Sequence, residues 1–159
     1  MRRKPEFVYV SYIRTTPELL YRALTERAFT ERYWGLVVES DWEVGSAITW
    51  EKNGLRHSDP RQVVLEADPP RRLSYTWHAI TPEWNPSLSE ERCRLAAGEP
   101  LSHVTFDLEP DGELVKLTVL HDHFEPGSIV AQMVTKGWPI VISSLKSLLE
   151  TGDTRPATA

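Results

Sequence analysis

Two hydrophobic periods divide the chain, one typical of strands and one typical of helices. Residues 7–13 are β-branched and aromatic, and they predict a first strand. Thr16, Pro17 and Glu18 then supply a cap, a first-position proline and a first-turn acid, which together start a helix. Residues 25–33 predict a second short helix. The chain is therefore expected to begin with a strand and two short helices.

Short strands separated by turn residues dominate the middle of the chain. The predicted strands are residues 37–41, 46–51, 62–67 and 72–79, and residues 55–60 are predicted to be a loop. Alternation in the last of these strands places Tyr75 and Trp77 on one face and His78 on the other. Prolines and glycine then interrupt residues 82–100, where Ser89 caps a possible short helix. This irregular segment is a candidate lid or insertion.

A hairpin follows, marked by alternating residues at 104–109 and 115–119 around the tight-turn pair Asp111-Gly112. If the alternation continues, His121 and His123 share the inner face with Val119. The same rule places His103 on the outer face. Paired histidines on one strand face could hold a metal ion, act as an acid and base, or bind a polar ligand group.

The last element is an amphipathic helix over residues 128–150. Its apolar face recurs at helical spacing and consists of Val130, Val134, Trp138, Val141, Leu145 and Leu148. Ser144 is expected on the outer side, and Gly152 is expected to end the helix. Pro139 removes a backbone donor inside it. The resulting kink would either fit the helix to a curved sheet or leave a mouth over a cavity.

This order of elements predicts an α+β fold, in which a curved antiparallel sheet of six to seven strands wraps around the long C-terminal helix. One domain is expected over residues 6–151. Flexible tails are expected at residues 1–5 and 152–159.

Composition narrows the possible partners. The net charge of −5 argues against nucleic acid, because phosphate binding needs a basic face. No apolar run is long enough to insert into a membrane, and no signal peptide is apparent, so a cytoplasmic location is expected. The single cysteine, Cys93, excludes an intrachain disulfide and lacks a nucleophile signature.

Several strings in the chain resemble one protein family. They are Tyr9-Val10-Ser11-Tyr12-Ile13-Arg14-Thr15-Thr16-Pro17, Ala23-Leu24-Thr25, Arg32-Tyr33-Trp34, Glu66-Ala67-Asp68-Pro69-Pro70-Arg71-Arg72-Leu73, Val104-Thr105-Phe106 and Gly137-Trp138-Pro139. Together they look like the AHSA1-like branch (activator of Hsp90 ATPase homologues) of the START/Bet v 1, or SRPBCC, superfamily. The resemblance spans roughly residues 6–151. It implies the helix-grip fold, with an apolar cavity between the sheet and the C-terminal helix.

The resemblance leaves three functions open, because a fold does not fix a function. The first is non-catalytic binding of a hydrophobic or aromatic small molecule. The second is a cyclase or hydrolase using His121 or His123 as acid or base. The third is an Hsp90-linked stress or co-chaperone role. The eukaryotic namesake carries an additional N-terminal domain, whereas one domain is expected here, which argues against the third.

Aromatic residues identify the candidate site, because small-ligand pockets are mainly apolar with few polar groups. The predicted cavity-lining residues are Tyr33, Trp34, Trp50, Tyr75, Trp77, Phe106, His121, Met133, Trp138 and Val141. His121 is the expected polar group. No catalytic motif, metal site or cofactor is predicted, since two aligned histidines fall short of the usual ligand count. A homodimer is possible, but no surface is predicted for it.

Overall fold

In a computed structural model, residues 5–152 can be described. Nearly all of the two predicted tails therefore lies outside the described residues. The elements are β1 (Phe7–Arg14), α1 (Pro17–Thr25), α2 (Arg27–Tyr33), β2 (Val37–Glu39), β3 (Ala47–Lys52), β4 (Leu55–Asp68), β5 (Arg72–Thr76), α3 (Glu90–Ala97), β6 (His103–Asp111), β7 (Leu114–Asp122) and α4 (Ile129–Thr151).

The strands form one seven-stranded sheet in the order β1-β7-β6-β5-β4-β3-β2, and every neighbouring pair is antiparallel. The two edge strands are β1 and β2, and α1 and α2 connect them from one edge of the sheet to the other. Register shifts interrupt the β3–β4 and β4–β5 pairings. Such irregularities bend strands. The curled sheet and the C-terminal helix confirm the helix-grip fold.

Local chemistry explains where the helices begin and end. Oγ1 of Thr16 accepts a hydrogen bond from the backbone N–H of Leu19 (3.2 Å), and Oγ of Ser89 accepts one from Arg92 (3.2 Å). These contacts satisfy donors that a helix start leaves free. Gly152 ends α4 in the left-handed conformation, with a φ of 85°. The predicted boundaries of α1, α3 and α4 thus have identifiable causes.

The core lies between the inner face of the sheet and α4. Ile13 from β1, Leu117 from β7 and Leu145 from α4 are completely buried. The backbone N–H of Arg14 donates to Oε2 of Glu150 (2.8 Å), which ties the end of α4 to β1. At the other end, the N–H of Ile129 donates to Oε2 of Glu99 (2.9 Å). A carboxylate there complements the positive end of the helix dipole.

Two predictions about individual elements were wrong. Residues 55–60 are the start of β4, because the register Lys52↔Leu55 continues the tight hairpin at Asn53-Gly54 directly into a strand. In α4, Ser144 is buried rather than outward-facing. Ile142, which lies outside the predicted stripe, is buried as well. The buried face of the helix is therefore wider than the predicted apolar stripe.

Within residues 5–152, no helix is both long and apolar enough to cross a membrane.

Candidate ligand-binding site

A cavity of about 140 Å³, open on one side, lies beneath the first half of α4. Its lining is mainly apolar and consists of Trp34, Trp77, His78, Val130, Met133, Val134, Gly137, Trp138 and Val141. The helix supplies six of these residues. The segment after α2 and the segment after β5 supply the other three, so the cavity depends on the tertiary fold.

Four tryptophans form a continuous cluster at the cavity. Trp34 has ring centroids 5.5 Å from Trp138, 6.0 Å from Trp77 and 5.9 Å from Trp50. Trp77 lies 5.3 Å from Trp138 and 5.2 Å from Trp50. These separations are typical of favourable aromatic pairs. Flat, rigid rings thus form the wall on one side of the cavity.

The structure separates the ten predicted site residues into two groups. Five line the cavity: Trp34, Trp77, Met133, Trp138 and Val141. The other five lie behind it in the buried core: Tyr33, Trp50, Tyr75, Phe106 and His121. Those five make close ring contacts with each other or with the tryptophans at the wall. They form a second layer that supports the cavity wall.

His121 is fully buried and both of its ring nitrogens are hydrogen-bonded. Nε1–H of Trp138 donates to Nδ1 of His121 (3.0 Å), so the imidazole proton sits on Nε2. Nε2 then donates to Oγ of Ser102 (2.8 Å). Burial lowers the pKa of His121 to about 3, with smaller contributions from His78 and His103. His121 is therefore neutral, and it fixes the orientation of the Trp138 indole.

His78 lines the cavity, and the prediction that it lies on the outer face was wrong. The β5 ladder stops at Thr76, whose hydroxyl accepts from the N–H of Val63 (2.9 Å) and donates to the carbonyl of Arg61 (3.0 Å). The side chain of Gln62 then accepts from the N–H of Ala79 (2.8 Å). On the β4 side, side-chain hydrogen bonds thus replace the ladder, whereas on the β6 side the N–H of Trp77 still donates to the carbonyl of Ser102 (2.8 Å). Strand alternation no longer applies at His78.

The protonation of His78 follows from its backbone contact. Nδ1 lies 3.1 Å from the carbonyl oxygen of Ala79, which only accepts, so Nδ1 carries the proton. The ring packs against Trp77, Trp50 and Trp84, with centroids 5.0, 5.2 and 5.5 Å away. This burial lowers the pKa of His78 to about 4 despite the carbonyl contact. The neutral ring has Nε2 left as an acceptor.

His123 does not share a face with His121, so the predicted histidine pair does not exist. The β7 strand ends at Asp122, and His123 adopts a φ of 68°, which turns the chain out of the strand. Its ring is exposed and stacks on His103, with centroids 3.8 Å apart. Alternation predicted the orientation of His121, which is paired in β7, but not that of His123, which follows the last paired residue.

The irregular segment at residues 82–100 is anchored beside the cavity. Trp84 is buried against His78, and α3 buries Cys93 and Ala96 and contacts α4. A second cavity, of about 10 Å³, lies beside this segment. His78 and Val130 line both this cavity and the larger one beneath α4. The smaller volume is about the size of one water molecule.

Sequence reasoning missed four lining residues, namely His78, Val130, Val134 and Gly137. Two of them, Val130 and Val134, belonged to the predicted helical stripe, and their position N-terminal to Trp138 was a usable signal. Gly137 was visible as the residue beside Trp138 that lacks a side chain. His78 left no usable signal, because β5 ends at Thr76 and the residues after it do not follow strand alternation.

Comparison with known proteins places this arrangement in a family. Residues 14–150 match the model of the activator of Hsp90 ATPase homolog 1-like proteins. The chain belongs to the AHSA1-like family. The match includes all the residues that line the cavity. No significant match to a curated protein was found.

Solved structures show the same AHSA1-like fold. Protein MLL2253 from Mesorhizobium loti is 25% identical, with a TM-score of 0.69 over 91% of this chain and 96% of its own. An Aha1 from Colwellia psychrerythraea, described as a dimer, is 21% identical, with a TM-score of 0.68 over 93% and 98%. CalU16 from Micromonospora echinospora is 20% identical, with a TM-score of 0.66 over 95% and 77%.

Proposed function

We propose that this AHSA1-like protein binds a small aromatic molecule, or the aromatic end of a larger one, in the cavity beneath α4. The observation that carries the proposal is the cavity itself, with walls formed by Trp34, Trp77 and Trp138 and completed by Met133. Rigid aromatic walls favour flat apolar ligands, and a methionine adapts to their outline. We place this binding in the cytoplasm.

The size of the cavity limits what can enter it. Its volume of about 140 Å³ is close to that of an engineered apolar cavity, of about 150 Å³, that holds benzene. Pockets for drug-sized ligands are larger, at about 300–1,000 Å³. A single aromatic ring therefore fits inside. Because the cavity is open on one side, the rest of a longer ligand would lie outside it.

His78 supplies the polar contact that would orient the ligand. Its Nδ1–H is bound to the Ala79 carbonyl, so Nε2 is an acceptor, and none of the described residues hydrogen-bonds to it. A ligand carrying an O–H or N–H group would satisfy this acceptor. Phenol-like and indole-like molecules combine such a donor with a flat apolar ring. We therefore propose a preference for them over plain hydrocarbons.

The enzymatic alternative gains little from His121. Its Nδ1 already accepts from Trp138, and its Nε2–H donates to Ser102, so it has no lone pair free to take a proton. A general base must reach the proton that it abstracts. Ser102 receives a hydrogen bond from the imidazole, which is the reverse of the contact that activates a nucleophile. His123 lies away from the cavity lining.

Calorimetric titration with phenol and toluene tests the proposal, because the two molecules differ in a hydroxyl and a methyl group of similar size. We expect saturable 1:1 binding of phenol. Met133→Trp should abolish it by filling the cavity, whereas the control Met133→Leu should retain it. His78→Phe should lower the ratio of phenol to toluene affinity about 3- to 10-fold, the value of one hydrogen bond.

Two results would overturn the proposal. The first is the absence of saturable binding of phenol, indole and toluene up to their solubility limits. The second is equal binding of phenol by the wild type and by a folded Met133→Trp variant.

A second copy of the chain is the partner that the fold best supports. The Colwellia relative is described as a dimer. Here the edge strand β1 exposes three apolar residues on its outer face, Val8, Val10 and Tyr12 (44–53% exposed). We propose that this outer face packs against the same face of a second copy, and light scattering of wild type and Val10→Lys tests this. An Hsp90-linked role rests on the family name and on no feature of the described residues.

A further inference from the structure

Three potential metal ligands converge at the ends of β6 and β7, away from the cavity. His103, Asp122 and His123 each offer one ligand atom, and these atoms all lie within 4.8 Å of one another. None of the three residues lines the cavity beneath α4. The cluster is therefore a feature separate from the proposed ligand-binding site.

The fold brings these residues together by register. His103 begins β6 and lies directly opposite Asp122, which ends β7. Because His121 is fully buried on the inner face, alternation places Asp122 on the outer face. Strand pairing thus fixes two of the three ligands relative to each other.

His123 joins the cluster through an unusual backbone conformation. Its φ of 68° lies in the left-handed region, which non-glycine residues rarely adopt. The turn brings its ring onto His103, with an angle of 24° between the ring planes. Strained conformations of this kind are enriched at functional sites.

Asp122 sets the tautomer of His123. Nδ1 of His123 lies 2.9 Å from Oδ1 of Asp122 and donates to it. This contact places Nδ1 and the carboxylate on the same side of the ring. An ion held by Asp122 and His123 together would take that position, with Nδ1 as the histidine ligand and the imidazole proton moved to Nε2.

The cluster is accessible to solvent, since 58% of the His123 side chain and 27% of the Asp122 side chain are exposed. An ion could reach it without any change in the fold.

We propose that His103, Asp122 and His123 form a three-ligand site for a divalent transition-metal ion of the zinc class. Imidazole and carboxylate ligands suit zinc, copper(II) and nickel, whereas magnesium and calcium prefer oxygen ligands alone. Three protein ligands leave at least one coordination position open to water or to a group from another molecule. The site would be occupied independently of the cavity.

Zinc titration of the tag-free protein tests the site. We expect 1:1 binding of Zn²⁺ in the micromolar range or tighter, measured by calorimetry. His103→Ala and His123→Ala should each weaken zinc binding about 100-fold or more. Losing a residue that only contacts a ligand costs up to about 100-fold, and losing the ligand itself should cost at least as much. Asp122→Asn should weaken zinc binding at least about 10-fold. The control His57→Gln removes a histidine outside the cluster and should bind zinc like the wild type.

Histidine NMR of the wild type gives a second readout that needs no variant. Zn²⁺ should shift the ring signals of His103 and His123 and leave those of His57, His78 and His121 in place. Saturation only at millimolar zinc would overturn the proposal as adventitious binding. Unchanged affinity in folded His103→Ala or His123→Ala would also overturn it, as would shifts confined to other histidines.

Discussion

The two halves of α4 belong to one continuous helix but pack in different ways. In the C-terminal half, Ile142, Leu145 and Leu148 are at most 5% exposed, and Glu150 bonds to the backbone of β1. In the N-terminal half, Met133 and Gly137 are only partly buried, and a cavity lies beneath them. The apolar face of α4 therefore lies over a filled core in its C-terminal half and over a cavity in its N-terminal half.

Side-chain shape accounts for this difference. Branched aliphatic side chains interdigitate and fill space at the density of a crystal. Around the cavity, three of the nine lining residues are rigid tryptophans, and Gly137 has no side chain to reach between them. A Cβ atom built on Gly137 would meet nothing within 4 Å. Hydrophobic periodicity thus predicts which face is buried, but the residue types decide whether that face is filled.

The largest expected effect contrasts one residue from each half. Leu145→Ala should lower the free energy of unfolding by about 3 kcal/mol, because it opens a new cavity in a filled core. Met133→Ala should cost only about 1 kcal/mol, since Met133 is partly exposed and already borders a cavity. Urea denaturation measures both values. Equal losses would mean that the two halves are packed alike.

The next effect concerns the hydrogen bonds that hold Trp138 against the sheet. His121→Phe should cost about 2–4 kcal/mol, because it leaves Oγ of Ser102 and Nε1 of Trp138 buried without partners. His121→Gln offers both an acceptor and a donor and should cost less than half as much. Thermal unfolding of the pair provides the comparison. If Gln is no better than Phe, shape rather than hydrogen bonding fixes this wall of the cavity.

Acid should destabilise the protein through the same buried histidine. The pKa of His121 is about 3 in the folded chain and about 6.5 when unfolded. Below pH 6.5 the unfolded state therefore binds a proton that the folded state excludes, and stability falls as the pH falls towards 3.

Relative to wild type, His121→Gln should reduce that slope by up to about 1.4 kcal/mol per pH unit, the value of one proton. Denaturation midpoints between pH 7 and pH 4 test this. Carboxylates contribute to both curves alike, so parallel curves would contradict the assignment.

The smallest effect has the opposite sign. Gly137 lies inside α4 and has no positive φ. Gly137→Ala should therefore stabilise the protein by about 0.5–1 kcal/mol, through helix propensity and a less flexible unfolded chain. Gly137→Leu should keep the fold but block phenol. A stable Gly137→Leu variant that binds phenol normally would place the ligand elsewhere.

Much of the fold was predictable because period and capping act locally. Prediction of the α4 stripe, of the cap at Thr16 and of the hairpin after Leu108 needed only neighbouring residues. The hairpin turn itself is Gly112-Glu113, one residue beyond the predicted pair Asp111-Gly112. The cavity was only partly predictable: the tryptophans pointed to an aromatic site, but nothing in the pattern separated Trp77 at the wall from Trp50 behind it.

The two wrong predictions about histidine orientation occurred at strand ends. His78 and His123 both lie beyond the last paired residue of a strand, where distant side chains and a left-handed φ replace alternation. These determinants involve contacts far apart in the chain. A period in the sequence carries no information about them.

Methyl NMR of the protein labelled at methionine tests the central claim most directly. The chain has two methionines, Met1 and Met133, and Met133 lines the cavity. Phenol should shift the Met133 methyl signal in a saturable way, through the ring current of a ligand held against it. A Met133 signal that stays fixed while calorimetry reports phenol binding would contradict the claim that this cavity is the ligand site.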